Sequence, residues 1–232
     1  MICVECGHVI KHTYRLISKG NIRLTRCNHC ELLADKYVEF DMVIIAIDLV
    51  LHKPQVYRHL IFNRMKPYEW GVAPGVLWLG VLVLFFDSYV KWADASGGFE
   101  SLNVAENLLC AECGCGWQWL YQAAIELAGF LAGVVLGVSI QPALNGGALN
   151  YLVMSIVLSS FGKLFHGLAM IWDYSEQRQS FGTCIEAFVL ASNVVALRVY
   201  LESTVGNVLL VVLVGYMSKR VAGVFGASLL MC

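Results

Sequence analysis

The sequence predicts a mainly α fold: a polytopic helical membrane protein with a small cysteine-rich β module at its N-terminus and interfacial helices joining the two. Three observations carry this. Of the 232 residues, 58% are hydrophobic and 14% are charged, whereas soluble domains average about 25% charged residues. Apolar runs long enough to cross a bilayer begin at Val72 and recur to the end of the chain. Four cysteines fall as two CxxC pairs within the first 30 residues. These features divide the chain into a cysteine module over 1–33, a helical connecting part over 34–68 and a transmembrane bundle over 69–232. A net charge of −1 and a pI near 6.6 give no electrostatic footprint for nucleic acid.

The module reads CVECGHVIKHTYRLISKGNIRLTRCNHC, which is C-x2-C, twenty residues, then C-x2-C. Cys3, Cys6, Cys27 and Cys30 have the spacing of a four-cysteine zinc site, in which two knuckles close a tetrahedron of thiolates. The alternating segments around Lys19-Gly20-Asn21 predict a β-hairpin between the knuckles, so the module is zinc-ribbon-like. A unit this small buries too little surface to fold alone, and a structural Zn²⁺ supplies what its core lacks. The rivals are a dithiol redox site and paired disulfides. A reducing cytosol disfavours disulfides, and no βαβ context supports a redox site. His8, His12 and His29 are expected outside the ligand shell, which four cysteines complete.

The connecting part turns on ADKYVEFDMVIIAIDLVLHKPQVYRHLIFN, Ala34 to Asn63. Asp41 stands at a helix N-cap, Met42 to Leu51 is apolar except for Asp48, and Pro54 suits the first turn of a second short helix. Asp41, Asp48 and His52 share a narrow stripe with Ile45. The first helix is too short to span a bilayer, so it is expected either in the cytosolic interface with that stripe wet, or packed beneath the module. In the interfacial case Tyr57 to Asn63 would hold the module over the bundle. Lys53, Arg58, Arg64 and Lys66 would then meet anionic head groups at about 1 kcal/mol each.

Five spans are expected: Val72 to Trp92, Trp119 to Ile140, Ala148 to Trp172, Phe181 to Leu201, and a last run from Thr204 to Met231. Ser218-Lys219-Arg220 interrupts the last run, which reads as one tilted helix, a broken helix or a re-entrant hairpin. Residues 1–70 hold ten of the sixteen Lys and Arg, and the loop from Ala93 to Gln118 holds none. The positive-inside rule therefore places the N-terminus in the cytosol and that loop in the lumen. The N-terminus has no signal-peptide pattern, so the first span would act as the insertion signal. Five spans put the C-terminus in the lumen, against the preference of Lys219 and Arg220. Cys110, Cys113 and Cys115 form an odd-numbered cluster in the lumenal loop, with a disulfide, inert thiols or weak metal binding all open.

Glu126, Lys163, His166, Glu186 and Arg198 lie inside apolar segments. Charges there cost about 2.5–3.5 kcal/mol at mid-bilayer, so they face the bundle, pair, or meet lipid head groups. Lys163 is expected to pair with Glu126 or Glu186, or to contact a head group. Gly129, Gly133 and Gly137, and the run Ser159 to Gly162, are small-residue faces for close helix packing. No HExxH, GxSxG, P-loop or GxGxxG motif is present, and no catalytic constellation stands out.

The paired knuckles, ADKYVEFD and IDLVLHKPQVYRHLIFN together resemble the homology domain of the Arv family. The likeness is dense over the first 63 residues and continues in patches: LSSFGKL from Leu158, MIWDY from Met170 and FVLASNVVALRV from Phe188. The Cys110–Cys115 cluster is not part of the pattern. The resemblance implies a multi-pass protein of the endoplasmic reticulum, acting in sterol distribution, sphingolipid metabolism and handling of glycosylphosphatidylinositol-anchor intermediates. It implies no chemical reaction. The expected partners are those membrane lipids and lipid-synthesis enzymes, not nucleic acid. Asp48, Tyr57, Arg58, His59, Asn63 and Lys163 are the expected lipid or partner contacts. The rivals are a membrane adaptor, in which the module and Tyr57-Arg58-His59 recruit an enzyme, and a lipid-modifying transferase.

Overall fold

The computed structural model describes residues 1–18, 21–65, 71–95, 115–141, 148–167 and 178–230. The expected hairpin forms from β1, Tyr14–Ser18, and β2, Asn21–Leu24, paired antiparallel. Tyr14 opposes Leu24 and Leu16 opposes Ile22, while Arg15 opposes Arg23. With a side-chain period of two, this gives an apolar and a basic face. The Lys19-Gly20 turn lies outside the described residues.

Two short helices follow. Helix α1, Met42–Val50, has Asp41 at its N-cap in an extended conformation, but the Asp41 side chain caps nothing. His52, at φ 52°, turns the chain, and Pro54 occupies the first turn of α2, Pro54–Arg58. The chain then widens into a π-helical turn over His59–Arg64, closed by Met65 N–H donating to the Leu60 carbonyl at 2.8 Å. Nothing in the hydrophobic pattern distinguishes this turn from continued α-helix.

Of the two placements expected for α1, the wet stripe is not seen: Ile45 and Asp48 are turned inward, as in the packed placement, while Asp41 at the start stays exposed. Asp48 is only 7% exposed and, with Ile45 and Leu49, faces inward. The outer face carries Met42, Val43, Ile44, Ile47, Val50 and Leu51. Tyr37 is the reason: its hydroxyl donates to Asp48 at 2.8 Å, so the carboxylate is satisfied inside.

Among the described residues, four helices are long and apolar enough to cross a membrane. They are α3, Pro74–Ala95, α4, Cys115–Ile140, α6, Arg178–Leu201, and α7, Val205–Leu230. The segment expected as a span over Ala148 to Trp172 begins as α5, Leu149–Ser159. It tightens into a 3₁₀ turn over Ser160–Phe165, and residues 168–177 lie outside the described set. Helix α7 runs unbroken through Lys219 and Arg220, which decides between the three forms expected for the last run.

The glycine stripe does what its spacing implies. Gly129, Gly133 and Gly137 lie against Ala222, Gly215 with Ser218, and Val211 of α7. A Cβ on Gly133 would fall 2.8 Å from the Gly215 Cα, closer than real side chains pack. The bundle core is built from Phe130, Val134, Ile156, Leu197, Val208 and Val211. A second core joins the connecting part to the bundle, placing Val4, Tyr37, Ile45, Val56, Tyr57 and Ile61 with Leu158, Phe161, Ala196 and Val199.

The cysteine module sits at one end of the bundle. Met65 packs on Ala73 and Val76 at the start of α3. A Cβ on Gly7 would lie 3.9 Å from the Glu202 carboxylate, in the turn between α6 and α7. Helix α7 therefore leaves from the module's side and ends on the opposite side.

Candidate functional site

The two knuckles have matching backbones. Gly7 N–H donates to the Cys3 carbonyl at 2.9 Å and Glu31 N–H to the Cys27 carbonyl at 3.0 Å. Both Gly7 and Glu31 take positive φ, at 80° and 61°, the left-handed turn that folds each CxxC back on itself. The four sulfurs lie within 4.8 Å of one another. Cys3 and Cys30 are 3.8 Å apart, and Cys6 and Cys27 are 3.7 Å apart. Tetrahedral zinc with bonds of about 2.3 Å requires sulfur separations of about 3.8 Å, so the donor set fits that ion in both type and spacing. Burial pushes the Cys3 thiol up to about 12. The Cys30 and His29 amides bring Cys27 down to about 6, poising it as thiolate. His8 and His29 stack on each other, ring centroids 5.3 Å apart, outside the sulfur cluster.

Below the knuckles a polar bracket joins module and helices. Asp35 is fully buried. Its Oδ1 accepts from the Tyr37 amide, and its Oδ2 accepts from Asn63 Nδ2 at 2.7 Å and lies 2.8 Å from His59 Nδ1. Asn63 also pairs both ways with the Ile2 backbone at 2.9 Å. Arg58 donates to the Val4 and Glu5 carbonyls. Glu5 accepts from Lys36 and Gln55. Burial opposes its charge, but these two donors outweigh it and hold the carboxyl below its usual range. Asp48 behaves alike: burial opposes its charge, yet Lys53 at 2.6 Å and the Tyr37 hydroxyl lower it on balance. The Tyr57 hydroxyl bonds Ser192 of α6 at 2.6 Å.

Five of the residues expected to contact lipid or a partner, Asp48, Tyr57, Arg58, His59 and Asn63, therefore have internal partners. Arg58, His59 and Asn63 tie the module and Asp35 to the helices, Asp48 closes on Tyr37 and Lys53, and Tyr57 ties α2 to the bundle. Their shared signal in the sequence was a polar side chain beside apolar ones, which a buried bracket produces as readily as a binding face. Asp35 and Tyr37 belong to the same bracket and were not singled out.

The sixth, Lys163, lies in a charged layer inside the bundle. Its amine is 2.9 Å from Asp87 of α3, not paired with Glu126 or Glu186 as expected. Glu126 takes Lys91 at 2.9 Å, with Lys219 at 3.9 Å. Glu186, 47% exposed at the bundle's surface, takes Lys219 at 3.1 Å. Three carboxylates and three amines thus alternate across α3, α4, the 3₁₀ turn, α6 and α7, towards the end of the bundle away from the module. Each charge is offset by a neighbour, which is what keeps such groups tolerable at membrane depth. Asp87 and Lys91 escaped the sequence reading, although their i,i+4 spacing in an apolar run was a signal. Pairing also explains Lys219: it is a bundle residue, not a loop charge that votes on topology. Cys110 and Cys113 lie outside the described residues.

The Arv1-like family matches residues 2–197, which takes in the module, the bracket and most of the charged layer. The chain is 38% identical to the protein arv1 homolog of Dictyostelium discoideum, covering 100% of this chain and 98% of that one. It is 33% identical to protein ARV 2 of Arabidopsis thaliana, covering 92% and 90%. With protein ARV1 of Saccharomyces cerevisiae the match is 44% identical over 66 residues, 28% of this chain and 21% of that one. No solved structure matches. With the family match covering residues 2–197 and a 38% identical relative covering the whole chain, the chain belongs to the Arv1-like family.

Proposed function

We propose that this protein is a multi-pass lipid-homeostasis factor of the endoplasmic reticulum. In this reading it distributes sterol, influences sphingolipid metabolism and handles glycosylphosphatidylinositol-anchor intermediates, and it carries out no covalent chemistry of its own. Family membership supports the general role in lipid homeostasis. The carrying observation is that the family match, residues 2–197, runs from the module through α3, α4, α5 and most of α6, which supports a part for the bundle beyond anchoring. In this reading the four cysteines hold a structural Zn²⁺ and the module faces the cytosol, which the lysine and arginine excess before residue 70 supports. With α7 ending opposite the module, the C-terminal end then lies in the lumen.

The test is lipid analysis of the purified full chain in mild detergent, against a control with scrambled spans. Enrichment of a sterol, sphingolipid or glycosylphosphatidylinositol intermediate is expected, and a lipid profile equal to the control's refutes the reading. The adaptor reading rests on the hairpin, whose two strands expose Arg15 and Arg23 with Leu16. Residues 1–63 on an unrelated membrane anchor separate the two. They share their core with α5 and α6, so failure to restore function is expected, and success favours the adaptor.

A further inference from the structure

We infer that α1 and the turn into α2 form a re-entrant element, sunk beside the bundle with its outer face against acyl chains. This goes deeper than an interfacial helix, and it holds whichever lipid the bundle handles.

Depth is set by contacts along α6. That helix ends at Leu201 on the module's side. Ser192 lies nine residues back from that end and Phe188 thirteen, which at 1.5 Å per residue is about 14 and about 20 Å along the axis. Tyr57 bonds Ser192. The His52 ring lies 4.5 Å from the Phe188 ring. With Ala196 and Val199 in the same core, α2 and the turn before it therefore lie along α6 from near its end down to Phe188, beside the helix and not only across its end. Leu158, nine residues into α5, and Phe161, in the 3₁₀ turn that follows it, line the same core.

Helix α7 shows what medium surrounds that level. It starts at Val205, beside the end of α6. Counted from that shared end, the level of Ser192 to Phe188 corresponds to about residues 214 to 218. There and just before, Leu213 is 56% exposed and Met217 63% exposed. Exposed large aliphatic side chains on a spanning helix face hydrocarbon. The outer face of α1 continues that surface chemically, since Ile47 is 53% and Leu51 61% exposed. Charge at the turn is paired: Lys53, its side chain 46% exposed, meets Asp48 at 2.6 Å, and Asp48 takes the Tyr37 hydroxyl on its other oxygen. Backbone groups are satisfied locally too, with the Leu51, His52 and Lys53 amides donating to Ile47, Leu49 and Asp48 carbonyls, as non-spanning backbone at membrane depth requires.

The experiment places a nitroxide on a genetically encoded ketone side chain, leaving the cysteines untouched. The full chain is reconstituted in phosphatidylcholine–phosphatidylserine vesicles. Labels at Ile47 and Leu51 are compared with Leu213 as lipid reference and Arg15 as water reference. Collisions with oxygen and with a water-soluble nickel chelate are read at each. Ile47 and Leu51 are expected to match Leu213, with oxygen favoured. Nickel accessibility like that of Arg15, or equal access at head-group level, overturns the inference. A second measurement needs no substitution: a phospholipid carrying a diazirine near its terminal methyl is photolysed with the unaltered chain. Adducts within Met42 to Leu51 are expected, and adducts on α3, α4 and α7 without any on α1 overturn it.

Discussion

Tyr57 and Ser192, 135 residues apart in the chain, share a buried hydrogen bond of 2.6 Å. It joins the helix that carries the cysteine module to a spanning helix, so module and bundle fold as one body. Tyr57→Phe leaves the Ser192 hydroxyl without this partner and is expected to cost about 1–2 kcal/mol. Ser192→Ala is expected to cost a similar amount. The double variant should cost less than the sum of the two, because both remove the same bond. Unfolding in detergent read through a double-mutant cycle checks this, and strict additivity would contradict the contact.

Metal binding is expected at one Zn²⁺ per chain. Cys27→Ser, or any other of the four changed likewise, should abolish it and loosen the module, whose folding energy is the binding energy. The protons give an independent readout. Burial keeps the Cys3 thiol protonated at neutral pH. The Cys30 thiol is also raised on balance: the Leu32 amide favours its thiolate, but burial and the neighbouring sulfurs outweigh that. Both must lose their protons to ligate. Loading the zinc-free chain at pH 7 should thus release at least two protons, and affinity should fall as pH falls. Calorimetry in buffers of different ionisation enthalpy measures the number.

How much of this was readable from the sequence depends on whether the signal was local. The cysteine spacing, the hairpin, Pro54 at a helix start and the glycine stripe each report on neighbours three or four residues away or on one fixed geometry, and each appears in the fold. Asp48 misled because a wheel shows which residues share a face but not what that face meets. Tyr37, eleven residues earlier, made the difference. Lys163 misled for the same reason: three carboxylates were available inside the spans, and choosing Asp87 required knowing that α3 packs against the 3₁₀ turn. The π-helical turn at His59–Arg64 gave no sign, since a single widened turn leaves composition unchanged.

Close packing of α4 on α7 gives a third expectation. Gly133→Ala forces a Cβ to within 2.8 Å of the Gly215 Cα, and backbone cannot yield as a flexible side chain would. A loss of about 1–3 kcal/mol is expected. Gly206→Ala, in α7 where nothing lies within 4 Å of the added Cβ, should be neutral or slightly stabilising, because alanine favours helix. Thermal unfolding of the two variants side by side tests it, and equal effects would mean the helices are not held this closely.

The charged layer makes an asymmetric prediction. Asp87 lies 2.9 Å from Lys163 and 3.6 Å from Lys91. Lys163 has no other carboxylate within ion-pair distance among the described residues. Asp87→Asn therefore strands a buried amine, and breaking a buried pair in this way costs about 3–5 kcal/mol. Lys163→Met is expected to be milder, since Asp87 keeps Lys91 and the methionine fills much of the space. The paired change, Asp87→Asn with Lys163→Met, should recover most of the loss of Asp87→Asn alone, because no charge is then left unmatched. Detergent-solubilised stability and the fraction of chain reaching a monodisperse fold are the measurements. If Asp87→Asn proves no worse than Lys163→Met, or the double variant no better than Asp87→Asn, the layer is not organised around this pair and Lys163 finds its counter-charge elsewhere.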